Sequence, residues 1–408
     1  MSLIISRKKL TDIFWMFMPI SGILYLIRFP TISIYIFDLW FLILLLFFRG
    51  KIQKVQVFLL ALFVSVVSFN TFINISIQGI YLDNFLSTLY RYTQFFVVGS
   101  LLINYIREQD QIPRWLLHSF LISTYLCLGY NFIYYFVDIE RIIVFNRASS
   151  FLENPNNFGG YICIVTPLIF LVFRQIKRFS LELISYFLVL FSLITAGSNS
   201  YWILTISSFF MAVIFYCWTR YGSMKTIYFL IILSFLFSIG FHYSKGARID
   251  LKSKFLGINR TILLVNTVLS GGDIKSLGSG KLRDDLNKMV LQGIQSKPTL
   301  IFSGVGLGQS QVAIRKQIGT NLSPHNMFIV VFFEVGIIGS FLLLILLISL
   351  LKDTGLNIFT VTSLMAYACA MMATPQLYLP FFWTPIIALF GYSACLKTES
   401  HSSLTPSK

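Results

Sequence analysis

Long apolar segments recur along this chain from one end to the other, separated by shorter polar stretches. Each is about 17 to 25 residues long, the length that an α-helix needs to cross a hydrocarbon layer about 30 Å thick. Runs such as 41–48 and 341–351 are continuous instead of alternating, so the short alternating strands of a β-barrel are not indicated. The pattern predicts about twelve membrane spans, at residues 10–28, 32–48, 55–77, 85–104, 115–137, 157–174, 180–197, 200–218, 226–243, 325–351, 356–373 and 376–396.

The composition agrees with this assignment. Hydrophobic residues make up 56% of the 408 residues and charged residues only 12%, against about 25% charged in a soluble domain. We therefore expect an all-α, polytopic transmembrane helical bundle. Its predicted organisation is spans 1–9 in residues 1–243, a long extracytoplasmic loop with short helices in 244–324, spans 10–12 in 325–396 and a cytoplasmic tail in 397–408.

The placement of Lys and Arg predicts the orientation. Basic residues concentrate in alternate short connections, beginning with Arg7, Lys8 and Lys9, and few occur in the short connections between them. Cytoplasmic loops carry this excess in membrane proteins, so both termini are predicted to be cytoplasmic. No small-residue cleavage site follows the first apolar segment, so we expect that span to be retained.

The long loop carries many more basic than acidic residues. Within it, a helix is predicted from Lys281 to Lys297 because apolar residues recur at helical spacing; they are Leu282, Leu286, Met289, Val290 and Ile294. Such a basic amphipathic helix could lie at the membrane interface or cover a cavity. Further on, Gly304, Gly306 and Gly308 predict a tight turn that returns the chain to the membrane, since no βαβ unit supports a nucleotide site there.

His325 follows this turn and precedes the tenth predicted span. Pro324 before it suits the first turn of a helix, and neutral imidazole can take a proton from a hydroxyl group.

Glu334 lies deep in the same span, where a carboxylate is costly and indicates function. On a straight helix Glu334 faces away from His325 and is not expected to orient it. Arg91, inside the fourth span, is a candidate partner for the Glu334 carboxylate instead. Gly336, Gly339 and Ser340 predict a close-packing helix face.

Outward arginines form the second group of candidates. Arg147 precedes the sixth span and can hold a phosphate bidentately, as can the loop residues Arg260, Arg283 and Arg315. Asn156 and Asn157 could cap the sixth span. Solvated charges and packing explain any one of these residues equally well. The five cysteines all lie in apolar runs, which favours a role as small packing residues. The sequence has no cluster of acidic residues that would support a metal site.

Several of these motifs occur together in a known arrangement: Arg147 with Asn-Pro-Asn-Asn, Gly-Val-Gly-Leu-Gly, Ser-Pro-His-Asn and Glu-x-Gly-x-x-Gly. In this order, with one long outer loop late in the chain, they resemble the bacterial O-antigen polymerase and O-antigen ligase superfamily over residues 147–340. The chain departs from the family pattern at Asn199, where arginine is common, and at Ser279-Gly280-Lys281, where the family tends to have Ser-Gly-Arg.

The resemblance implies a GT-C-like bundle that transfers a glycan from undecaprenyl pyrophosphate at the periplasmic face of the bacterial inner membrane. It implies no metal or nucleotide cofactor, and the expected partners are the lipid-linked glycan, membrane lipids and a chain-length regulator protein. Nucleic-acid binding is not expected, because the basic residues are split between the two sides of the membrane. His325 is the expected catalytic base, and Arg147, Arg260, Arg283, Arg315, Asn326 and Asn156 are the expected substrate or pyrophosphate contacts. A polymerase is the first expectation and a ligase the second; a polysaccharide flippase is the alternative from another class.

Overall fold

The computed structural model describes residues 7–28, 33–47, 52–78, 82–108, 114–137, 143–144, 147–148, 152, 155–176, 184–185, 187–189, 191–192, 280–318, 326–352, 360, 364, 367–368, 371 and 379–402. This part of the chain is helical apart from two short antiparallel β-hairpins and the turns. Its helices are α1 (Arg7–Ile23), α2 (Ile36–Phe47), α3 (Lys54–Gln78), α4 (Leu82–Glu108), α5 (Arg114–Val137), α6 (Pro155–Ile176), α7 (Gly280–Ser296), α8 (Thr299–Ser303), α9 (Ser310–Ile318), α10 (Met327–Leu351) and α11 (Pro380–Ser402). Its strands are β1 (Tyr25–Arg28), β2 (Ser33–Tyr35), β3 (Ile143–Val144) and β4 (Arg147–Ala148).

Three of the helices are long and apolar enough to cross a membrane: residues Lys54–Asn74, Trp115–Ile133 and Met327–Leu351. Their outward faces carry large apolar side chains; Phe58 is 66% exposed and Phe341 is 61% exposed. Water would disfavour so much uncovered apolar surface, whereas lipid chains accommodate it. These helices identify a membrane protein, as the sequence predicts.

The observed helices agree closely with several predicted spans. Spans 55–77, 115–137 and 325–351 correspond to α3, α5 and α10, with their ends shifted by at most two residues. The predicted first span is wrong beyond Ile23, because the chain there leaves the helix and forms the β1–β2 hairpin, with Tyr25 opposite Tyr35. Spans 200–218 and 226–243 lie outside the described residues, and spans 180–197 and 356–373 are described only at scattered helical positions.

The chain divides into two compact units. The first consists of residues Met1–Ser123, Ser279–Asn357 and Ala370–Lys408, and the second of Thr124–Gly278 and Ile358–Cys369. In the first unit α11 packs along α4, where glycines permit close approach of the helices: a Cβ on Gly99 would lie 3.4 Å from Ile387. Aromatic rings fill the same unit, with Phe37 packed against both Trp40 and Trp383 at centroid distances of 5.0 and 5.6 Å.

In the second unit the C-terminal part of α5 and the helix α6 form the described core. The hydroxyl groups of Thr124 and Tyr161 lie 3.2 Å apart, and Asn131 donates to the Ser192 hydroxyl over 3.2 Å. Cys127 and Cys163 are buried and free, which confirms for these two cysteines the predicted packing role. These two contacts pair buried hydroxyl groups and the Asn131 amide nitrogen within the helical layer, as an apolar surrounding favours.

Candidate functional site

A glycine-rich turn joins α8 to α9 in the first unit. Its glycines Gly304, Gly306 and Gly308 have φ angles of 68°, 108° and 74°. Gly304 donates to the carbonyl of Leu300 over 2.9 Å and so ends α8, while Gln309 donates back to Gly306 over 3.2 Å. The predicted tight turn is confirmed.

This turn is inserted into a break in α10. Gly336 has φ 65° and ψ −172°, which is not helical, so the α10 backbone is interrupted there. In an uninterrupted helix the carbonyls of Phe333 and Glu334 would accept from N–H groups four residues later. Here they accept from the turn, with Val305 N–H to Phe333 O at 2.8 Å and Gly306 N–H to Glu334 O at 2.9 Å. The turn therefore satisfies backbone groups that a broken helix would otherwise leave unpaired in lipid.

Glycine is required at both sides of this contact. A Cβ on Gly336 would collide with the backbone carbonyl of Phe302, and a Cβ on Gly304 would collide with the Glu334 carbonyl. Both residues also have positive φ, where L side chains are strained. The prediction that Gly336 belongs to a close-packing face holds, but its partner is the glycine turn and α10 is not a continuous helix.

Polar side chains hold the turn from two helices. Asn74 of α3 donates to the Gly304 carbonyl over 3.0 Å, and the Thr71 hydroxyl accepts from Leu307 N–H over 3.1 Å. The Glu334 carboxylate of α10 accepts from Ser310 N–H over 3.2 Å, at the start of α9. Glu334 is only 6% exposed, so its side chain is part of the packed contact between α9 and α10.

The partner of Arg91 differs from the one that the sequence suggested. Arg91, suggested as a partner for Glu334, forms instead a buried ion pair with Asp38 of α2; its second terminal nitrogen donates to Asp38 over 3.0 Å. Gln94 joins this group, accepting from Arg91 over 2.8 Å and donating to Asp38 over 2.7 Å. The Tyr35 N–H completes the group by donating to Asp38 over 2.8 Å. The pair fastens α2 and the β1–β2 hairpin to α4.

Asn326 begins the helix that carries the break. Its side-chain oxygen accepts from the N–H groups of Phe328 and Ile329 at 3.0 and 3.3 Å, which makes it the N-cap of α10. The helix therefore starts at Met327, and Pro324, expected in its first turn, precedes the cap. A contact of Asn326 with substrate stays a prediction.

The helices of the long loop pack on the same part of α10. The predicted amphipathic helix is confirmed as α7, whose residues Leu286, Val290 and Ile294 are 3%, 0% and 6% exposed. They share a buried cluster with Leu300 of α8, Ile314 of α9 and Phe333 of α10. Loop, turn and α10 thus form one packed assembly, able to hold groups at the start of α10 in fixed positions.

The predicted site residues are distributed as follows. His325 and Arg260 lie outside the described residues. In the first unit, Arg315 is exposed on α9, and Arg283 lies in the first turn of α7. In the second unit, Arg147 begins β4, opposite Val144; Asn156 occupies the second position of α6. That helix begins at Pro155, a residue suited to a first helical position, so the asparagines lie inside the helix that they were expected to cap.

Sequence reasoning missed Asp38, Thr71 and Asn74. Asp38 carried a usable signal, because an acidic residue inside an apolar run demands a partner. Thr71 and Asn74 lie three residues apart on α3 and so share a face, but their partner, the glycine turn, lies more than 200 residues later in the chain, with Asn74 and Gly304 separated by 230 positions. Local pattern cannot identify such a pairing.

The class of protein defined by this fold is a helical membrane protein with a basic loop anchored in a broken helix. We found no match between this chain and any protein-family model, any curated protein or any solved structure.

Proposed function

We propose that this protein is a glycosyltransferase that joins oligosaccharide repeat units carried on undecaprenyl pyrophosphate, as an O-antigen or related surface polysaccharide polymerase. In this proposal it is a GT-C-like bundle of about twelve spans in the bacterial inner membrane, with both termini cytoplasmic. The reaction takes place at the periplasmic face. The proposal is supported by the order of motifs from Arg147 to Gly339.

The proposed reaction needs one base and several cations. His325 takes the proton of an acceptor hydroxyl as its oxygen bonds to the anomeric carbon of the donor glycan. The bond between that carbon and the pyrophosphate oxygen breaks, and the pyrophosphate leaves on its lipid with the bonding electron pair. Arg147, Arg260, Arg283 and Arg315 are the candidates to stabilise the charge of the leaving group. The imidazolium then loses its proton to solvent.

The observation that carries the proposal is the anchoring of the glycine turn in α10. His325 directly precedes Asn326, the residue that caps α10, and the packed turn fixes that helix relative to the basic loop. Groups that must meet a substrate at fixed distance benefit from such support, because misplacement of about 1 Å can cost on the order of a hundredfold in rate. The anchoring therefore suits an active site at the start of α10.

The proposal is tested on the lipopolysaccharide of a deletion strain that carries plasmid copies of the gene. Wild-type protein should restore long polymer, and the His325→Ala variant should leave core with a single repeat at normal protein level. His118→Ala, which changes an exposed histidine on α5, is the matched control and should restore polymer. Full-length polymer with His325→Ala would refute the role of this residue.

The same gel separates the alternatives. Bare core with accumulated lipid-linked polymer in the deletion strain would indicate a ligase. Bare core without lipid-linked polymer would indicate an earlier step, including a flippase. Either result would overturn the polymerase proposal.

A further inference from the structure

An apolar cleft lies between α3, α4 and α10, far from the glycine turn. It has a volume of about 180 Å³ and is lined by Gln56 and Leu60 of α3, Phe96 and Ser100 of α4, and Leu346 and Ser349 of α10, among others. An apolar cavity of about 150 Å³ is large enough to bind benzene. Gln56 precedes Thr71 by fifteen positions, so the cleft is about 22 Å along α3 from the residues that hold the turn.

One buried polar atom in this cleft accepts no hydrogen bond. The Gln56 side chain is 8% exposed, and its amide nitrogen donates to the Ser349 carbonyl over 3.2 Å. Its amide oxygen is buried and has no partner among the described residues. A buried acceptor left unpaired is costly, because the oxygen has lost its hydrogen bond to water without gaining another. The geometry therefore favours a ligand that brings a hydrogen-bond donor into an otherwise apolar space.

The surroundings restrict what that ligand can be. Val57, on the rim, is 51% exposed, so the cleft opens on the surface that α3 presents to lipid. Lys54 is the first residue of α3, and Lys352 follows the last residue of α10; both are exposed. Lysines at the ends of membrane helices extend to the headgroup region, where they attract phosphate. The cleft thus combines an apolar slot, a hydrogen-bond acceptor and two nearby cations.

We infer that this cleft binds a phospholipid with an anionic phosphate and a hydroxyl-bearing headgroup, of which phosphatidylglycerol is the representative. A segment of acyl chain fills the slot along Leu60, Phe96 and Leu346. A headgroup hydroxyl donates to the Gln56 amide oxygen, and the phosphate lies within reach of Lys54 and Lys352. The site stands apart from the proposed transferase chemistry and does not depend on it.

The test measures lipid binding to the purified full-length protein by native mass spectrometry. Three lipids with the same acyl chains separate the contributions: phosphatidylglycerol, phosphatidylmethanol, which is anionic but has no hydroxyl, and zwitterionic phosphatidylethanolamine. Wild type should bind phosphatidylglycerol roughly threefold to tenfold more tightly than phosphatidylmethanol, the range that one net hydrogen bond supplies. Phosphatidylethanolamine should bind most weakly.

Substitutions assign these preferences to residues. Gln56→Leu keeps a similar side-chain volume and removes the acceptor, so it should make phosphatidylglycerol and phosphatidylmethanol equivalent. The double variant Lys54→Ala, Lys352→Ala should weaken both anionic lipids together and keep the ratio between them. Ser100→Phe should block the slot, whereas Ser65→Phe, on an exposed position of α3, is the matched control and should bind like wild type.

Two outcomes would overturn the inference. One is a wild type that binds phosphatidylglycerol and phosphatidylmethanol equally well. That result would mean that the lipid hydroxyl does not donate a hydrogen bond to the Gln56 amide oxygen. The other is a Gln56→Leu variant that keeps the full preference, which would place the lipid elsewhere. Thermal unfolding in the absence of added lipid reports separately on folding, because Gln56→Leu also removes the hydrogen bond from the Gln56 amide nitrogen to the Ser349 carbonyl.

Discussion

The substitution Gly336→Ala addresses the break in α10 directly. An alanine there must either keep a backbone conformation that is almost restricted to glycine, with its methyl group against the Phe302 carbonyl, or return to helical angles. In the second case α10 closes its own hydrogen bonds. The N–H groups of Val305 and Gly306 then lose their acceptors, so both routes disfavour the docked turn.

The magnitude follows from the contacts that are lost. The strained conformation costs about 1–3 kcal/mol. The alternative gives up two backbone hydrogen bonds from the turn, at 2.8 and 2.9 Å, each worth about 1 kcal/mol net. With the contact against Phe302 included, we expect docking to weaken by about 2–4 kcal/mol, a factor of roughly 30 to 1000.

Hydrogen exchange in lipid nanodiscs measures this change locally. The amides of Val305 and Gly306 should exchange faster in Gly336→Ala by up to that factor, because exchange follows the local opening equilibrium. Gly129→Ala is the matched control: a Cβ on Gly129 has nothing within 4 Å, and alanine favours the helix. Unchanged protection of the turn in Gly336→Ala would refute the docking described above.

Substitutions at three further sites test the other contacts. Glu334→Gln keeps an acceptor for Ser310 N–H and should retain the docked turn, whereas Glu334→Leu should raise exchange of the turn amides; equal behaviour would show that the carboxylate does not hold α9. Arg91→Leu should lower stability by about 3–5 kcal/mol by leaving the Asp38 charge buried and unpaired, while the double change Asp38→Leu, Arg91→Leu should recover most of the loss in thermal unfolding. Asn326→Ala should cost about 0.5–2 kcal/mol through loss of the α10 cap, and Asn326→Asp should restore it; no difference between them would argue against capping.

The spacing of apolar residues along the sequence is sufficient to predict part of the fold. The spacing of Leu286, Val290 and Ile294 is enough to predict α7 and its buried face, and continuous apolar runs predict α3, α5 and α10. These elements are specified by neighbours in sequence, because burial of one helix face or exposure to lipid repeats every few residues.

The features that sequence reasoning could not supply are those made by distant pairing. The apolar run around Gly336 is typical of an uninterrupted span, and only the turn at Gly304 makes a break there tolerable. Likewise, the position of Glu334 does not indicate whether its carboxylate meets an arginine or a backbone N–H. The β1–β2 hairpin was missed because its strands lie within an apolar stretch that also fits a helix.

The central proposal is glycan transfer with His325 as base, and transfer by the purified full-length protein tests it most directly. The protein in nanodiscs is supplied with an undecaprenyl-pyrophosphate-linked repeat unit, and elongation is measured together with release of undecaprenyl pyrophosphate. We expect wild type and His118→Ala to elongate at similar rates, and His325→Ala to be slower by about a hundredfold or more. Undiminished elongation by a folded His325→Ala variant, or no elongation by wild type, would contradict the account.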